Sequence, residues 1–313
     1  MSLAPALVVL NPAARHGTGL ARYGRVAGLL EARYALSTVI FDREARWRDD
    51  LRQALDGGTR HVIAAGGDGT VGAVASAIVE ARGPVPLEHV TLGAVGLGSS
   101  NDFHKPVTTA ADGVPFRIEA GNRMLRDVAR ARYEDGTGTW RERLFLVSAS
   151  LGVTAAANAL FNEGRDLVLR LLKPRWVDGA VVYAALAGLC RHENVAARLG
   201  LPEGEEETVA LSNLSVLKTP HLSGCLRYDT SVEPDSGRLA VNLCEGMSRS
   251  RLAGVLAGLL RGRFRGRPGT RHWTVERLRV DLAAPAPLEL DGEVVTARRV
   301  LFDVLPERIA VCC

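Results

Sequence analysis

The stretch Ala64-Ala65-Gly66-Gly67-Asp68-Gly69-Thr70 restricts what this chain can fold into more than any other. Val62 and Ile63, just before it, are apolar and β-branched, as in a strand buried on both faces. After it, Val71, Val74, Ala75, Ile78 and Val79 recur at helical spacing as far as Arg82. A strand that breaks at glycines and restarts as a helix aims backbone N–H groups and the positive end of a dipole at one point. That geometry holds phosphate. Gly66, Gly67 and Gly69 let a ligand approach the backbone closely, since no Cβ intervenes. Asp68 has two readings: it caps the helix, or it works beside phosphates by holding a metal ion, orienting a donor or taking a proton.

The first third alternates between the two periods. Residues 6–10, 34–41, 61–65 and 90–95 read as strands, and 19–32, 43–55 and 70–82 as helices. This order predicts a doubly wound parallel sheet with its ligand crevice at the C-terminal strand ends. Three of those ends carry small or polar residues: Asn11-Pro12-Ala13-Ala14-Arg15-His16-Gly17-Thr18-Gly19, the glycine-aspartate turn, and Gly96-Leu97-Gly98-Ser99-Ser100-Asn101-Asp102-Phe103. Their convergence predicts a phosphate site. After about residue 122 the pattern changes. Segments 123–133 and 140–148 flank Asp135-Gly136-Thr137-Gly138 as a hairpin, and helices are expected over 153–172 and 178–192. From residue 208 short strands alternate with turns, among them Glu233-Pro234-Asp235-Ser236-Gly237, with an amphipathic helix over 250–260. The expected domains are therefore 1–122, α/β, and 123–302, β-rich and antiparallel. The apolar helices of the second domain are either core or the lining of an apolar substrate pocket.

A length of 313 residues suits two domains, and 47% hydrophobic with 24% charged residues is ordinary for a globular protein. No run of about 18 apolar residues occurs, which argues against a bilayer-spanning helix. The N-terminus lacks a charged segment ahead of an apolar one, so a cytoplasmic location is expected. Five cysteines without metal-ligand spacing point to reduced thiols, and seven scattered histidines give no zinc motif. Net charge is +4, yet residues 249–279 hold nine arginines and one acid, Glu276. That stretch is either a solvated face or an attraction to an anionic surface, where the amphipathic helix flanked by arginines would dock on anionic lipid without spanning the bilayer. Few aromatics accompany it (Phe264 and Trp273), which disfavours nucleic acid as the partner.

There is no GxxxxGK[ST] loop, and Gly96-Leu97-Gly98-Ser99-Ser100-Asn101 lacks the third glycine of the dinucleotide fingerprint. Instead, five short motifs stand in order: Asn11-Pro12, Gly66-Gly67-Asp68-Gly69-Thr70, Leu97-Gly98-Ser99-Ser100-Asn101-Asp102-Phe103, Asp235-Ser236-Gly237-Arg238-Leu239 and Leu290-Asp291-Gly292-Glu293. Together, over nearly the whole chain, they resemble the diacylglycerol kinase and sphingosine kinase catalytic-domain superfamily, particularly its soluble bacterial lipid kinases. The resemblance implies an N-terminal nucleotide-binding α/β domain and a C-terminal antiparallel β-sandwich, with catalysis between them and a last strand, about 303–313, returning to the first. It implies transfer of the γ-phosphoryl group of ATP, with Mg²⁺, to a lipid hydroxyl in phospholipid metabolism. A diacylglycerol-like acceptor and peripheral contact with an anionic membrane surface are expected. By the same resemblance Asn11, Pro12, Ala13, Arg15, Gly66, Gly67, Gly69, Thr70, Gly98, Ser99 and Asn101 surround the nucleotide phosphates. Asp68, Asp291 and Glu293 are candidates for metal coordination and proton acceptance, with Glu293 first as base and Asp68 its partner or alternative. Asp235 would hold a structural Mg²⁺. Asp291-Gly292-Glu293 also suits a hairpin turn.

The chain departs from the family pattern at several points. Gly72-Ala73 stands where Asn-Glu is usual, Ser99 and Phe41-Asp42 where threonine is usual, Ser236 where a second aspartate is usual, and Leu222-Ser223-Gly224 where three glycines are usual. These changes keep two alternatives open. One is an NAD kinase-like enzyme phosphorylating a soluble nucleotide, which shares the Gly-Gly-Asp-Gly turn. The other is a nucleotide-binding regulatory protein with weakened turnover. An exposed sheet edge would support a homodimer.

Overall fold

The computed structural model describes residues 3–42, 44–163, 166–172, 176–200 and 204–313. It divides into two compact units, Met1–Val128 with Pro306–Cys313, and Ala129–Leu305. The sequence places breaks after 122 and 302. The observed ones fall later because Arg123–Glu134 and Glu293–Cys312 are unbroken strands that run through those positions.

In the first unit four parallel strands lie in the order Tyr34–Ile40, Ala4–Leu10, His61–Gly66, Thr91–Gly96. Leu7 to Leu10 and Val62 to Ala65 are buried, as expected for strands covered on both faces. Beside the last strand, Ala310 and Val311 pair in parallel with Thr91 and Leu92, and Val114–Arg117 adds an antiparallel edge. The Trp47–Asp56 helix buries Trp47, Leu51 and Leu55, one residue per turn, and the Asp68–Ala81 helix buries Val71, Val74, Ala75 and Ile78. The helix expected over 19–32 is two pieces, Gly19–Gly24 and Ala27–Glu31, because the chain turns at Arg25 to send Val26 into the core. Residue 43, where the next helix was expected to begin, lies outside the described residues.

The second unit is an antiparallel β-sandwich. Its strands run in the order Thr270–Val275, Leu239–Glu245, Glu206–Leu217, Val195–Gly200, Arg277–Leu290, then the first part of Glu293–Cys312. Ser148–Gly152 pairs with both Glu206–Leu217 and Arg277–Leu290, and Arg123–Glu134 pairs with Trp140–Phe145. Leu214, Val216, Leu243, Leu288 and Phe302 fill the core, with Phe145 edge-on to Phe302. The helix expected over 153–172 is again two, Val153–Glu163 and Leu167–Leu172; positions 164–165 lie outside the described residues. The second begins where Asp166 accepts hydrogen bonds from Val168 N and Leu169 N at 2.9 and 3.1 Å, a side-chain cap. Val177–Cys190 follows.

The arginine-rich helix, Arg249–Leu259, differs from the sequence expectation in a way that matters. Its apolar residues Leu252, Val255 and Leu259 pack against Leu226, Tyr228 and Phe264, so the face expected to meet lipid belongs to the core. Several of the neighbouring arginines are also engaged. Arg267 donates to the carbonyls of Gly254 and Arg263, and Arg271 pairs with Glu207 and Glu245. Large apolar side chains are exposed elsewhere, at Leu167, Leu171, Trp176, Val182 and Leu186. No helix among the described residues is long and apolar enough to cross a membrane.

Candidate functional site

Three strand ends of the first unit are tied side by side: Asn11 N donates to Ala65 O and Leu97 N to Gly66 O, each at 2.8 Å. The glycine turn lies between them. Gly67 is the cap residue of the Asp68–Ala81 helix, in extended conformation, and no side chain caps that helix. The capping role considered for Asp68 is therefore not the one it plays. Asp68 is the first helical residue, and its carboxylate turns to the neighbouring loop, accepting from Asp102 N at 3.1 Å and Phe103 N at 2.9 Å. Thr70 N donates to Gly67 O at 2.9 Å, so the N–H groups of Asp68 and Gly69 are the first-turn donors that the helix leaves available to a ligand.

Close backbone contact explains the glycines. A Cβ on Gly98 would stand 2.6 Å from Gly67 Cα, and one on Gly66 would stand 2.3 Å from Thr70 Oγ1. Thr70 is buried over that glycine and accepts a hydrogen bond from Asn11 Nδ2 at 2.9 Å, while Asn11 Oδ1 receives Ala13 N at 3.0 Å. Asn101 is left-handed and closes its own loop, accepting from Gly98 N at 3.0 Å and donating to the carbonyls of Gly96 and Gly98. Its side chain is thus engaged in shaping the loop, and Ser99 is the exposed hydroxyl there. Pro12 is half-buried and Ala13 exposed. Arg15, His16 and Gly17 follow with φ of 49°, 57° and 87°, three consecutive left-handed residues, two of them bearing the steric cost that L-residues meet there. Gly69 lies in the first helical turn, half-buried.

Two charges set the electrostatics. Burial, reinforced by the Asp102 carboxylate, raises the Asp68 pKa to about 6, although the two backbone N–H groups and Lys105 work in the other direction. Asp102 itself pairs with Lys105 at 2.7 Å. Arg22, which the sequence reading did not single out, is buried and donates to Gly96 O at 3.3 Å and Gly113 O at 3.2 Å. Its pKa is lowered, first by burial and then by Arg15 and Arg25.

The second unit holds the other carboxylates. Asp291 is buried and left-handed. Its carboxylate accepts from Leu146 N at 2.9 Å, and from Val147 N and Ser148 N at 3.0 Å each. Three backbone donors on one carboxylate make a clamp that fixes the start of the Ser148–Gly152 strand. Glu293, two residues on, is exposed and pairs with Arg143. Glu289 escaped the sequence reading. It is buried between the strands, accepts from Ser150 Oγ at 2.7 Å, and receives Gly292 N at 2.5 Å. Asp235 is exposed on its turn, and among the described residues no group of three His, Cys, Asp or Glu side chains could hold a metal ion. The buried Lys218 ammonium also reaches that turn, donating to Glu233 O at 3.0 Å and Arg238 O at 2.8 Å. Lys218 ends an apolar strand and carries no motif that would single it out in the sequence.

Residues 5–128 match the family model of the diacylglycerol kinase catalytic domain, and residues 147–313 match that of the YegS C-terminal NAD kinase beta sandwich-like domain. A Pseudomonas aeruginosa protein named "Probable lipid kinase YegS-like" is 28% identical over 308 residues, covering 93% of this chain and 92% of its own. A crystal structure of a diacylglycerol kinase from Bacillus anthracis superposes with a TM-score of 0.69 at 15% identity, covering 99% of this chain and 96% of the other. Yeast NADH kinase complexed with NADH shares the fold at lower similarity, with a TM-score of 0.53 at 10% identity, covering 100% of this chain and 84% of the yeast one.

Proposed function

Because the chain belongs to the superfamily of diacylglycerol and sphingosine kinase catalytic domains, we propose that it transfers the γ-phosphoryl group of ATP to the hydroxyl of a diacylglycerol-like lipid. One observation carries this reading: the glycine turn leaves a helix N-terminus without a side-chain cap, while Asp68 turns aside to anchor the next loop. Backbone N–H groups there receive phosphate oxygens, and the loops bearing Asn11 and Ser99 flank them. Asp68 is an oxygen donor whose charged form is penalised by burial, so a cation beside it is favoured. That fits Mg²⁺, which binds through one or two carboxylates and completes its shell with substrate phosphates and water. When bound, the ion neutralises charge developing on the transferred group. Glu293 takes the proton of the lipid hydroxyl as its oxygen attacks the γ-phosphorus and the bond to ADP breaks. Asp291 holds the turn that carries Glu293.

Leu167, Leu171, Trp176, Val182 and Leu186 are the side chains we assign to contact with the membrane surface, in place of the arginine-rich helix. The test is incubation of the protein with labelled ATP, Mg²⁺ and vesicles of mixed lipid extract. Labelled lipid is expected from the wild type, and Asp68→Asn and Glu293→Gln are each expected to lose about 10²-fold or more. No labelled lipid from the wild type overturns the reaction, and equal labelling by the variants overturns the residue roles. Label recovered in water-soluble nucleotide would instead favour the NAD kinase-like alternative.

A further inference from the structure

The turn that carries Glu293 is held residue by residue. Leu290 pairs with Glu293 across the hairpin, so Asp291 and Gly292 form a two-residue loop, both left-handed with φ of 47° and 89°. The Asp291 carboxylate is clamped by the N–H groups of Leu146, Val147 and Ser148. Gly292 N donates to the buried Glu289 at 2.5 Å, and Gly292 O accepts from Asn162 Nδ2 at 3.1 Å. The peptide planes on both sides of Gly292 are therefore pinned, which fixes the direction in which the Glu293 side chain leaves the backbone. Beyond its Cβ the side chain is exposed, and among the described residues its hydrogen-bond partner is Arg143.

Arg143 stands on a face where apolar side chains are the rule. In the hairpin of Arg123–Glu134 with Trp140–Phe145, Arg143 lies opposite Ala131 and Phe145 opposite Ala129, so Arg143 shares the face on which those three residues are buried. The single segment 143–148 thus supplies both the guanidinium that meets Glu293 and the N–H groups that hold Asp291. The ion pair joins Arg143 Nη1 to Glu293 Oε2, and no hydrogen bond from a described residue reaches Oε1. Both side chains are exposed, and a pair in that setting adds little to stability. We propose that Arg143 is the positioning residue for Glu293, holding the carboxylate by Oε2 so that Oε1 faces the acceptor hydroxyl. The inference rests on the kinase reading and deepens it. In the transfer the hydroxyl O–H bond breaks and its proton goes to Oε1. The hydroxyl oxygen uses the freed electron pair to bond to the γ-phosphorus, and the pair of the breaking P–O bond leaves with ADP. A carboxylate already held in place spares the rotamer search that a free glutamate must make before it can take the proton.

Steady-state kinetics of the full chain with labelled ATP, Mg²⁺ and vesicles of mixed lipid extract test it. Arg143→Met keeps most of the stem and removes the charge. It is expected to lower kcat about tenfold or more while KM for ATP and the denaturation midpoint stay at their wild-type values. Arg143→Lys, which keeps a point charge without the planar fork, is expected to recover part of the loss. Combining Arg143→Met with Glu293→Gln separates the possible roles. A residue that acts through Glu293 adds no further loss to that of Glu293→Gln alone, whereas an independent contact with lipid or nucleotide multiplies the two losses. Undiminished kcat in Arg143→Met, no recovery in Arg143→Lys, or multiplied losses in the double variant overturns the proposal and leaves the kinase reading standing. Full activity of Glu293→Gln removes Glu293 as base and this proposal with it, and no labelled lipid from the wild type overturns the kinase reading and the proposal together.

Discussion

Asp68 is half-buried and accepts two backbone hydrogen bonds, yet desolvation and the neighbouring Asp102 carboxylate prevail, moving its pKa upward to about 6. The sign has two consequences. For folding, a raised carboxylate pKa means that the protonated form is the one the fold prefers, so ionised Asp68 lowers stability above about pH 6. For the proposed chemistry, the ionised form is needed. With saturating lipid and sub-saturating Mg²⁺, kcat/KM is expected to fall tenfold per pH unit below about 6, and a flat profile from pH 5 to 8 would remove Asp68 from the metal-binding role. Asp291 carries the opposite expectation. Its three backbone donors predict that Asp291→Asn, which offers one acceptor oxygen for three N–H groups, destabilises the second unit by about 1–3 kcal/mol. A denaturation midpoint unchanged from wild type would instead favour direct participation in chemistry.

At the scale of elements, the site depends on two loops whose backbones touch at Gly67 and Gly98. Gly98→Ala puts a methyl group against Gly67 Cα, a contact that backbone cannot relieve by rotating a side chain. ATP affinity is expected to drop about tenfold or more while the sandwich keeps its stability, because the strain falls on the phosphate loops. Equal ATP affinity in an equilibrium binding measurement would contradict this. The same loops show what the sequence disclosed. Strands 61–66 and 91–96 were legible because both faces are buried and most of their residues are apolar or small, and the glycine turn because residues without a Cβ mark a backbone that is approached closely. Boundaries shifted where a tertiary contact took over from periodicity, as at Val26 and at the Asp166 cap. Lys218, Glu289 and Arg22 were not legible, because each is a polar residue whose burial depends on acceptors far away in the chain. The apolar stripe of Arg249–Leu259 was visible, but whether protein or lipid covers such a stripe is decided by Leu226, Tyr228 and Phe264, which periodicity does not reveal.

For the molecule as a whole, acid acts unevenly on the two units. His61 and His104 are buried in the first, and burial lowers both pKa values to about 4. His61 lies edge-on to Tyr34, and its Nδ1 meets no protein acceptor, so a proton there has no counter-charge. A histidine with a depressed folded pKa contributes stability that is fully present above its ordinary value of 6.5 and is lost as pH falls toward 4. By pH 5 each has forfeited about 2 kcal/mol, and protonation of Asp68 over the same range returns part of it. In the second unit Glu207 is held ionised by Arg271, and Asp135 by Thr137 and Arg141, so both lie below their ordinary range and still contribute in full at pH 5. Hydrogen exchange measured at pH 7 and pH 5, corrected for intrinsic rates, is therefore expected to show lost protection in peptides covering 61–66 and 91–96, with 206–217 and 239–245 little changed. Replacing both histidines with glutamine should remove the difference between the pH values. Uniform loss across the two units, or loss that survives the double replacement, would place the acid sensitivity elsewhere than in these two imidazoles.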